Sequence, residues 1–345
     1  MARQILNTLY VMTPHSYLHL ENDTLRVDVE HQKRMQVPLH HLGSVVTLGN
    51  VMLSPALMHR LADDGVALVL LDGNGRFKAR LEGAVSGNIL LRQAQHAQAA
   101  DANFALKTAR AMIAGKLRNA RQVLLRGARE AADDGDVRIL SAAADSLRIS
   151  IRNLPHAIDL DSVRGIEGDA AKVYFSALNG VVRRDARKVF AMDGRTRRPP
   201  RDRFNALISF LYSMLMNDCR SALEAVGLDP QLGFLHAVRP GRAALALDLM
   251  EEFRAVMADR LALTLINRGQ INSDGFDERE GGAVMLEGDA RRAVVVAYQE
   301  RKQEEITHPL LDTKMPIGLL PQIQARLLAR HIRGETEHYI PFLAR

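Results

Sequence analysis

Four side chains between residues 167 and 251 of this 345-residue chain are of types that ligate hard metal ions. Glu167 lies in Arg164-Gly-Ile-Glu-Gly168, His236 closes Gly233-Phe-Leu-His236, and Asp248 and Glu251 bound Asp248-Leu-Met-Glu251. Carboxylates joined by one imidazole suit a divalent cation such as Mg2+ or Mn2+. Between the first two segments runs Gly194-Arg-Thr-Arg-Arg-Pro-Pro-Arg-Asp-Arg-Phe-Asn205, dense in arginine and pinned by two prolines. The guanidinium fork matches phosphate oxygens. A metal site that meets a phosphate clamp in space makes a metal-dependent enzyme acting on nucleic acid.

Each candidate has a plainer explanation. Helical spacing predicts a helix over 168–179, and a carboxylate at its start, Glu167, serves the helix dipole without any metal. His236 ends an apolar stretch, where a lone histidine is more often a hydrogen-bonded core residue. On a helical wheel Leu249, Met250, Phe253, Val256 and Met257 form one face; Asp248 and Glu251 lie together on the other side. The wheel does not say whether that side meets water or a cation, and Glu252 beside them competes for the role. Spacing alone therefore does not establish a metal site.

Charge placement says more. The chain carries +6 net, and the segment from Arg183 to Arg203 accounts for all of it. A second basic stretch, Lys107 to Arg129, contains no acid. Concentrated positive charge on an otherwise acidic body is the footprint of a polyanion partner. For 107–129 alone a solvated helix face is the simpler account. For 183–203 the prolines hold the chain extended, so its arginines repel one another until an anion arrives. With no Trp, six Tyr and ten Phe, the chain lacks a stacking platform for single strands. Backbone contact to duplex DNA is the better expectation.

Composition bounds the rest. Hydrophobic content of 47% is that of an ordinary globular protein with room for two domains. No apolar run is long enough for a membrane span, and the N-terminal residues carry no signal-peptide core. The single cysteine, Cys219, excludes an intramolecular disulfide and a Cys-rich zinc site, and fits a cytoplasmic setting. No phosphate-binding glycine loop, His-Glu-x-x-His or Gly-x-Ser-x-Gly is present.

The elements that must position the candidate residues follow from periodicity. Strands are expected at 5–12, 16–20, 24–30, 44–48 and 66–71, with a hairpin turn at Asp72–Gly75 leading into 76–82. Ser54-Pro55 starts a helix over 55–63. Beyond residue 95 helical spacing takes over, at 101–130, 138–153, 168–179, 204–226, 243–267, 288–303 and 316–332. A small hairpin insertion is expected near 268–286. The fold class is α+β: a β-rich N-terminal domain, 1–95, and a mostly α-helical catalytic domain, 96–345.

These segments, in this order, resemble the CRISPR-associated endonuclease that integrates new spacers, the main subunit of the adaptation module. The resemblance rests on Arg164–Gly168 opening a helix with Ala171 and Tyr174, then Arg197–Tyr212, Gly227–His236 and Leu247–Arg254, and it covers essentially the whole chain. Length and detail are similar to the kind found in type I-C systems. The resemblance implies that Glu167, His236 and Glu251 are catalytic ligands of Mg2+ or Mn2+. Asp248 then supports them, and Glu252 stays an alternative to Glu251. It implies DNA phosphodiester cleavage and transesterification, with the 3′-hydroxyl of a short duplex attacking the edge of a CRISPR repeat. Arg164, Arg183, Arg184, Arg195, Arg197, Arg198, Arg201 and Arg203 become DNA contacts. The implied assembly is a homodimer through residues 1–95, with two dimers flanking a dimer of a small ferredoxin-like subunit as a heterohexamer. Whether an end-trimming nuclease works alongside stays open, and no membrane is involved.

Two-ended insertion needs two active sites held at a fixed separation. Light scattering should accordingly find the free protein as a homodimer, and two-ended integration should require the small partner. A stable monomer, or efficient two-ended integration by this chain alone, contradicts the expectation.

Overall fold

The computed structural model describes residues 8–73, 77–81, 83 and 89–344. Residues 5–7 of the expected first strand, Asn74 and Gly75 of the expected turn, and residues 76 and 82 of the strand expected after it lie outside the described residues. The chain divides into two units, residues 1–86 with 295–303, and residues 87–294 with 304–345.

In the first unit, β1 (Thr8–Val11), β2 (Tyr17–Glu21), β3 (Thr24–Val29), β4 (Gln32–Pro38), β5 (Ser44–Leu48) and β6 (Met52–Leu53) precede helix α1 (Pro55–Asp63). β7 (Ala67–Leu71) and β8 (Phe77–Leu81) follow. One sheet has the order β1-β5-β7-β8, with β1, β5 and β7 parallel and β8 antiparallel; the other has the order β4-β3-β2-β6. Leu18, Leu25, Val45, Leu57, Leu61 and Leu68 make a shared core. Ser54 caps α1 as its sequence requires, its hydroxyl accepting from Leu57 N at 3.2 Å. β4 escapes the periodicity because its first four residues, Gln-Lys-Arg-Met, are all exposed and mostly polar.

The second unit is helical. It begins with α2 (Ile89–Ala100), α3 (Ala102–Glu130), α4 (Asp134–Asn153), α5 (Leu160–Ala177) and α6 (Arg184–Phe190). α7 (Arg203–Val226), α8 (Ala244–Met250) and α9 (Arg260–Asn267) follow. The expected hairpin is β9 (Phe276–Arg279) with β10 (Ala283–Leu286). Helix α10 (Gly288–Gln303), whose residues 295–303 belong to the first unit, precedes a second hairpin that periodicity does not reveal, β11 (Glu305–His308) with β12 (Thr313–Pro316), and α11 (Leu320–Ile332) comes last. Long α3 packs on α4 and α5, and α7 on α8 and α11. α7 has the ends its sequence announces: Asp202 accepts from Asn205 N at 2.7 Å, and Gly227 closes it at φ +88°.

Two helices depart from expectation in ways that matter for the site. α5 begins at Leu160 under an Asp159 cap, not at 168. Glu167 is therefore mid-helix, out of reach of the N-terminal dipole. Gly165 and Gly168 suggest a start there, yet both are helix residues, and an added Cβ at either meets nothing within 4 Å. The expected continuous helix 243–267 is broken: α8 stops at Met250, and a π-helical segment spans Arg254–Asp259 before α9. A uniform wheel therefore fails beyond Met250, and Glu251, placed opposite the core by it, is only 3% exposed.

Candidate metal centre and arginine surface

The site is built around a buried carboxylate. Asp248 is fully buried on α8 and accepts four N–H bonds. Its Oδ2 takes Phe234 N at 2.6 Å and Leu235 N at 2.9 Å; its Oδ1 takes His236 N at 3.0 Å and lies 2.5 Å from His236 Nδ1. Such an acceptor set offsets the cost of burying the charge. It also fixes the imidazole, because Nδ1 is engaged and only Nε2 faces outward. Gly233 precedes this turn for a steric reason: a Cβ there would sit 2.5 Å from Asp248 Oδ2 and 2.8 Å from the Ala244 carbonyl carbon. Arg164 completes the brace, with Nε and Nη2 both donating to Leu235 O, at 2.9 and 2.6 Å.

Glu251 and Glu167 meet at one amine. Lys116 of α3 contacts Glu167 Oε1 and lies 2.8 Å from Glu251 Oε2. His236 Nε2 stands 3.9 Å from Glu251 Oε1, and Arg254 Nη2 is 3.0 Å from the same oxygen. Glu251 Oε2 is buried without a well-formed hydrogen bond. Burial would raise the Glu251 pKa; Arg254, Lys116 and His236 outweigh it and hold it at about 2. Behind Arg254, the fully buried Asp259 accepts from Tyr174 and Tyr212 hydroxyls at 2.9 and 2.7 Å. Burial pushes Asp259 up to about 6. Arg254 also lies over the Tyr212 ring, 4.9 Å from its centre.

Glu167, His236 and Glu251 thus share one neighbourhood, drawn from α5, the turn before α8, and the end of α8. As the side chains stand, no group of three or more His, Cys, Asp or Glu among the described residues is arranged around a cation. The Lys116 ammonium lies between the two carboxylates instead. The donor set still fits a hard divalent ion: two carboxylates, one outward imidazole nitrogen and an underused buried oxygen.

Glu252 turns the other way. It is buried against the segment after α11, taking Phe342 N at 2.7 Å, the Tyr339 hydroxyl at 2.5 Å and Gln324 Nε2 at 3.0 Å. Burial pushes its pKa up to about 8 despite these bonds. Of the two adjacent acids, Glu251 faces the imidazole.

The arginines separate into three groups. Arg195 and Arg164, both expected on phosphate, are committed to the protein. Arg195 donates to Thr196 O, Asn205 Oδ1 and Ser209 Oγ and stacks over Phe175 and Tyr212, and burial lowers its pKa. Arg164 holds the His236 turn. The buried Asn205 gathers the loop around itself, so the segment folds back rather than standing out as an arm. A second group has exchangeable partners: Arg183 with Asp185, Arg184 with Asp133, Arg203 with Glu278, and Arg201 with Gly281 O. Surface pairs of this kind contribute little and can give way to phosphate.

Arg197 and Arg198 form the third group and are exposed. Their charges reach Arg242, whose pKa is lowered first by burial and then by Arg239, Arg197 and Arg198, with Asp248 opposing. Arg239 and Arg242 escape the motif reading although their signal is legible. In Arg239-Pro-Gly-Arg242, proline and glycine set a tight turn, Gly241 has φ +73°, and Arg242 N donates to Arg239 O at 3.0 Å. Lys116 also left a signal: it interrupts the apolar seam of α3 between Met112 and Ala120.

Comparison with known proteins gives the family and the fold. The family described as "CRISPR associated protein Cas1" matches residues 9–300. A CRISPR-associated endonuclease Cas1 of Moorella thermoacetica is 53% identical over 341 residues, spanning 99% of both chains. A Geobacter sulfurreducens protein named as a Cas4 exonuclease/Cas1 endonuclease fusion is 34% identical, spanning 98% of this chain and 60% of the fusion. Among solved structures, the Cas6-RT-Cas1–Cas2 complex superposes with TM-score 0.82 at 23% identity, over 98% of this chain and 36% of that one. A casposase bound to integration product gives 0.81 at 20% identity, over 96% and 91%. The fold is the one shared by these DNA-processing proteins. The chain belongs to the Cas1 family, and it is a nuclease/integrase enzyme of CRISPR adaptation.

The pKa values set a pH test. Between about 4.5 and about 8 the folded state holds a proton on Glu252 that the unfolded chain releases, so stability falls as pH rises through that window. Glu251 acts oppositely: its contribution is complete above about 4.5 and is lost as pH falls towards about 2. Glu252→Gln, which imitates the protonated acid, should match the parent in urea midpoint near pH 5 and exceed it near pH 8. Parallel pH dependences of the two proteins would contradict this.

Proposed function

We propose that Glu167, His236 and Glu251 hold one Mg2+ or Mn2+ ion at which DNA phosphodiester bonds are cut and joined. The observation that carries this is the meeting of Glu167 and Glu251 at a single ammonium beside the outward nitrogen of His236. Metal dependence is a property of Cas1 nucleases, and the donor set of this chain suits it. When bound, such an ion polarises the phosphate and stabilises charge on the entering or leaving oxygen.

The chain's own residues do the rest. Asp248 keeps the imidazole in one orientation, with Nε2 presented. Arg254 and Lys116 keep Glu251 ionised and in place. The nucleophile in the integration reading is the 3′-hydroxyl of a short duplex, so no residue need form a covalent bond to DNA. The exposed Arg197, Arg198 and Arg239 with Arg242 lie on the Asp248 side and suit backbone phosphates of the duplex. Arg183, Arg184, Arg201 and Arg203 extend that surface once their acids are displaced.

The same reading gives the assembly. Residues 1–95 pair two copies of the chain, and two pairs flank a dimer of a small ferredoxin-like subunit in a heterohexamer of the type I-C kind. A Cas1–Cas2 complex among the structural neighbours, and a relative fused to a Cas4 exonuclease, support a small partner and an end-trimming nuclease. Work on DNA at a CRISPR repeat places the protein in the cytoplasm. No helix among the described residues is long and apolar enough to cross a membrane.

Integration of a labelled duplex into a repeat-bearing plasmid tests the site. Glu167→Ala and His236→Ala should each lower the Mn2+-dependent rate by at least about 100-fold. Parent activity in either variant contradicts the reading. For the surface, Arg197→Glu with Arg198→Glu should weaken binding of all duplex sequences. The pair should flatten the slope of log affinity against log salt by about two; an unchanged slope removes these residues from the interface.

A further inference from the structure

The placement of Lys116 assigns it a role that no motif supplies. Its side chain is 12% exposed, and its amine contacts carboxylates from two different elements, Glu167 of α5 and Glu251 at the end of α8. A compact ammonium on a flexible stem can sit where an inorganic cation would sit and can leave again; a guanidinium fork cannot do this so readily. Seven basic residues lie between 107 and 129, and several serve packing: Arg110 donates to Ala157 O, and Arg121 to Ala144 O at 3.1 Å. Lys116 is the one directed at these two acids.

Charge counting gives the function of that placement. Glu167 and Glu251 meet Lys116 and Arg254, and Asp248 lies behind them against His236; counted without the imidazole and without Asp259, which is held by its tyrosines, these groups carry one net negative charge. A divalent ion turns this into one net positive charge, and one phosphodiester neutralises it. Without Lys116 the loaded site would carry no net positive charge to receive the phosphate.

We propose that Lys116 is the resident counter-ion of the site: it holds Glu167 and Glu251 together, yields its place to the divalent ion, and turns to the substrate phosphate as a catalytic group. This rests on the metal-site reading above. Two consequences separate it from a structural role. Removing Lys116 leaves two uncompensated carboxylates, so the divalent ion binds more tightly. It also removes a cation from the phosphate, so the reaction slows.

The experiment is calorimetric titration of the full-length protein with MnCl2, paired with strand-transfer rates at saturating Mn2+. Lys116→Met should bind Mn2+ about tenfold more tightly and react about 100-fold more slowly. Lys116→Arg, which keeps the charge but leaves the position less readily, should bind Mn2+ no more tightly than the parent. Glu167→Gln in the same titration should lose the site. Unchanged or weaker Mn2+ binding by Lys116→Met, or an Arg variant that tightens like the Met variant, overturns the role of Lys116. If Glu167→Gln leaves Mn2+ uptake intact, the metal-site reading fails and this role falls with it. If Glu167→Gln abolishes uptake while Lys116→Met binds no more tightly, Lys116 alone is wrong.

Discussion

Buried charge must be paired, and this requirement organises the second unit. Five ionisable residues lie within twelve positions, Asp248, Glu251, Glu252, Arg254 and Asp259; the four acids are buried and the Arg254 side chain is 16% exposed. None could be left alone in the interior without a cost of several kcal/mol. The acids draw partners from elsewhere: Asp248 from the turn at 234–236, Glu251 from Lys116 of α3 besides its neighbour Arg254, Glu252 from the segment after α11, and Asp259 from tyrosines of α5 and α7. Helices remote in sequence are therefore registered on one short segment. The break at Glu251–Phe253 and the π-helical turn after it belong to the same arrangement. Across them Glu251 and Arg254 reach the site and Asp259 reaches the tyrosines. Irregular helical turns of this kind are frequent at functional sites.

Much of the fold was legible because local rules and tertiary packing agree. Ser54-Pro55, Asp202 and Gly227 begin and end helices as caps should, and the apolar alternation of Leu25 to Val29 marks a strand with a buried face. The failures have local causes. β4 is too polar to show a period, and two helix-interior glycines imitate a helix start before Glu167. The regular helix that periodicity predicts over 243–267 stops at Met250, where Glu251 turns to Lys116 of α3 and Glu252 to the segment after α11.

The site divides along the same line. Glu167, His236, Asp248 and Glu251 came from residue type and family resemblance, and the fold gathers them. The choice of Glu251 over Glu252 needed tertiary contacts, since both are buried and only their partners differ. Arginine count proved a poor guide to arginine role. Arg195 and Arg164 spend their donors on the protein, whereas Arg239 and Arg242, outside the dense run, join Arg197 and Arg198. The seam position of Lys116 on α3 could have drawn attention, because a charge in line with Met112 and Ala120 calls for an acid nearby, whereas Arg118 points to solvent.

The central claim is that three residues from three separate segments converge on one cation. Anomalous scattering from crystals grown with Mn2+ tests it most directly. The account predicts a single peak bounded by His236 Nε2 and by one carboxylate oxygen each from Glu167 and Glu251, with His236 Nδ1 still on Asp248. A peak elsewhere, or none at saturating Mn2+, would contradict it.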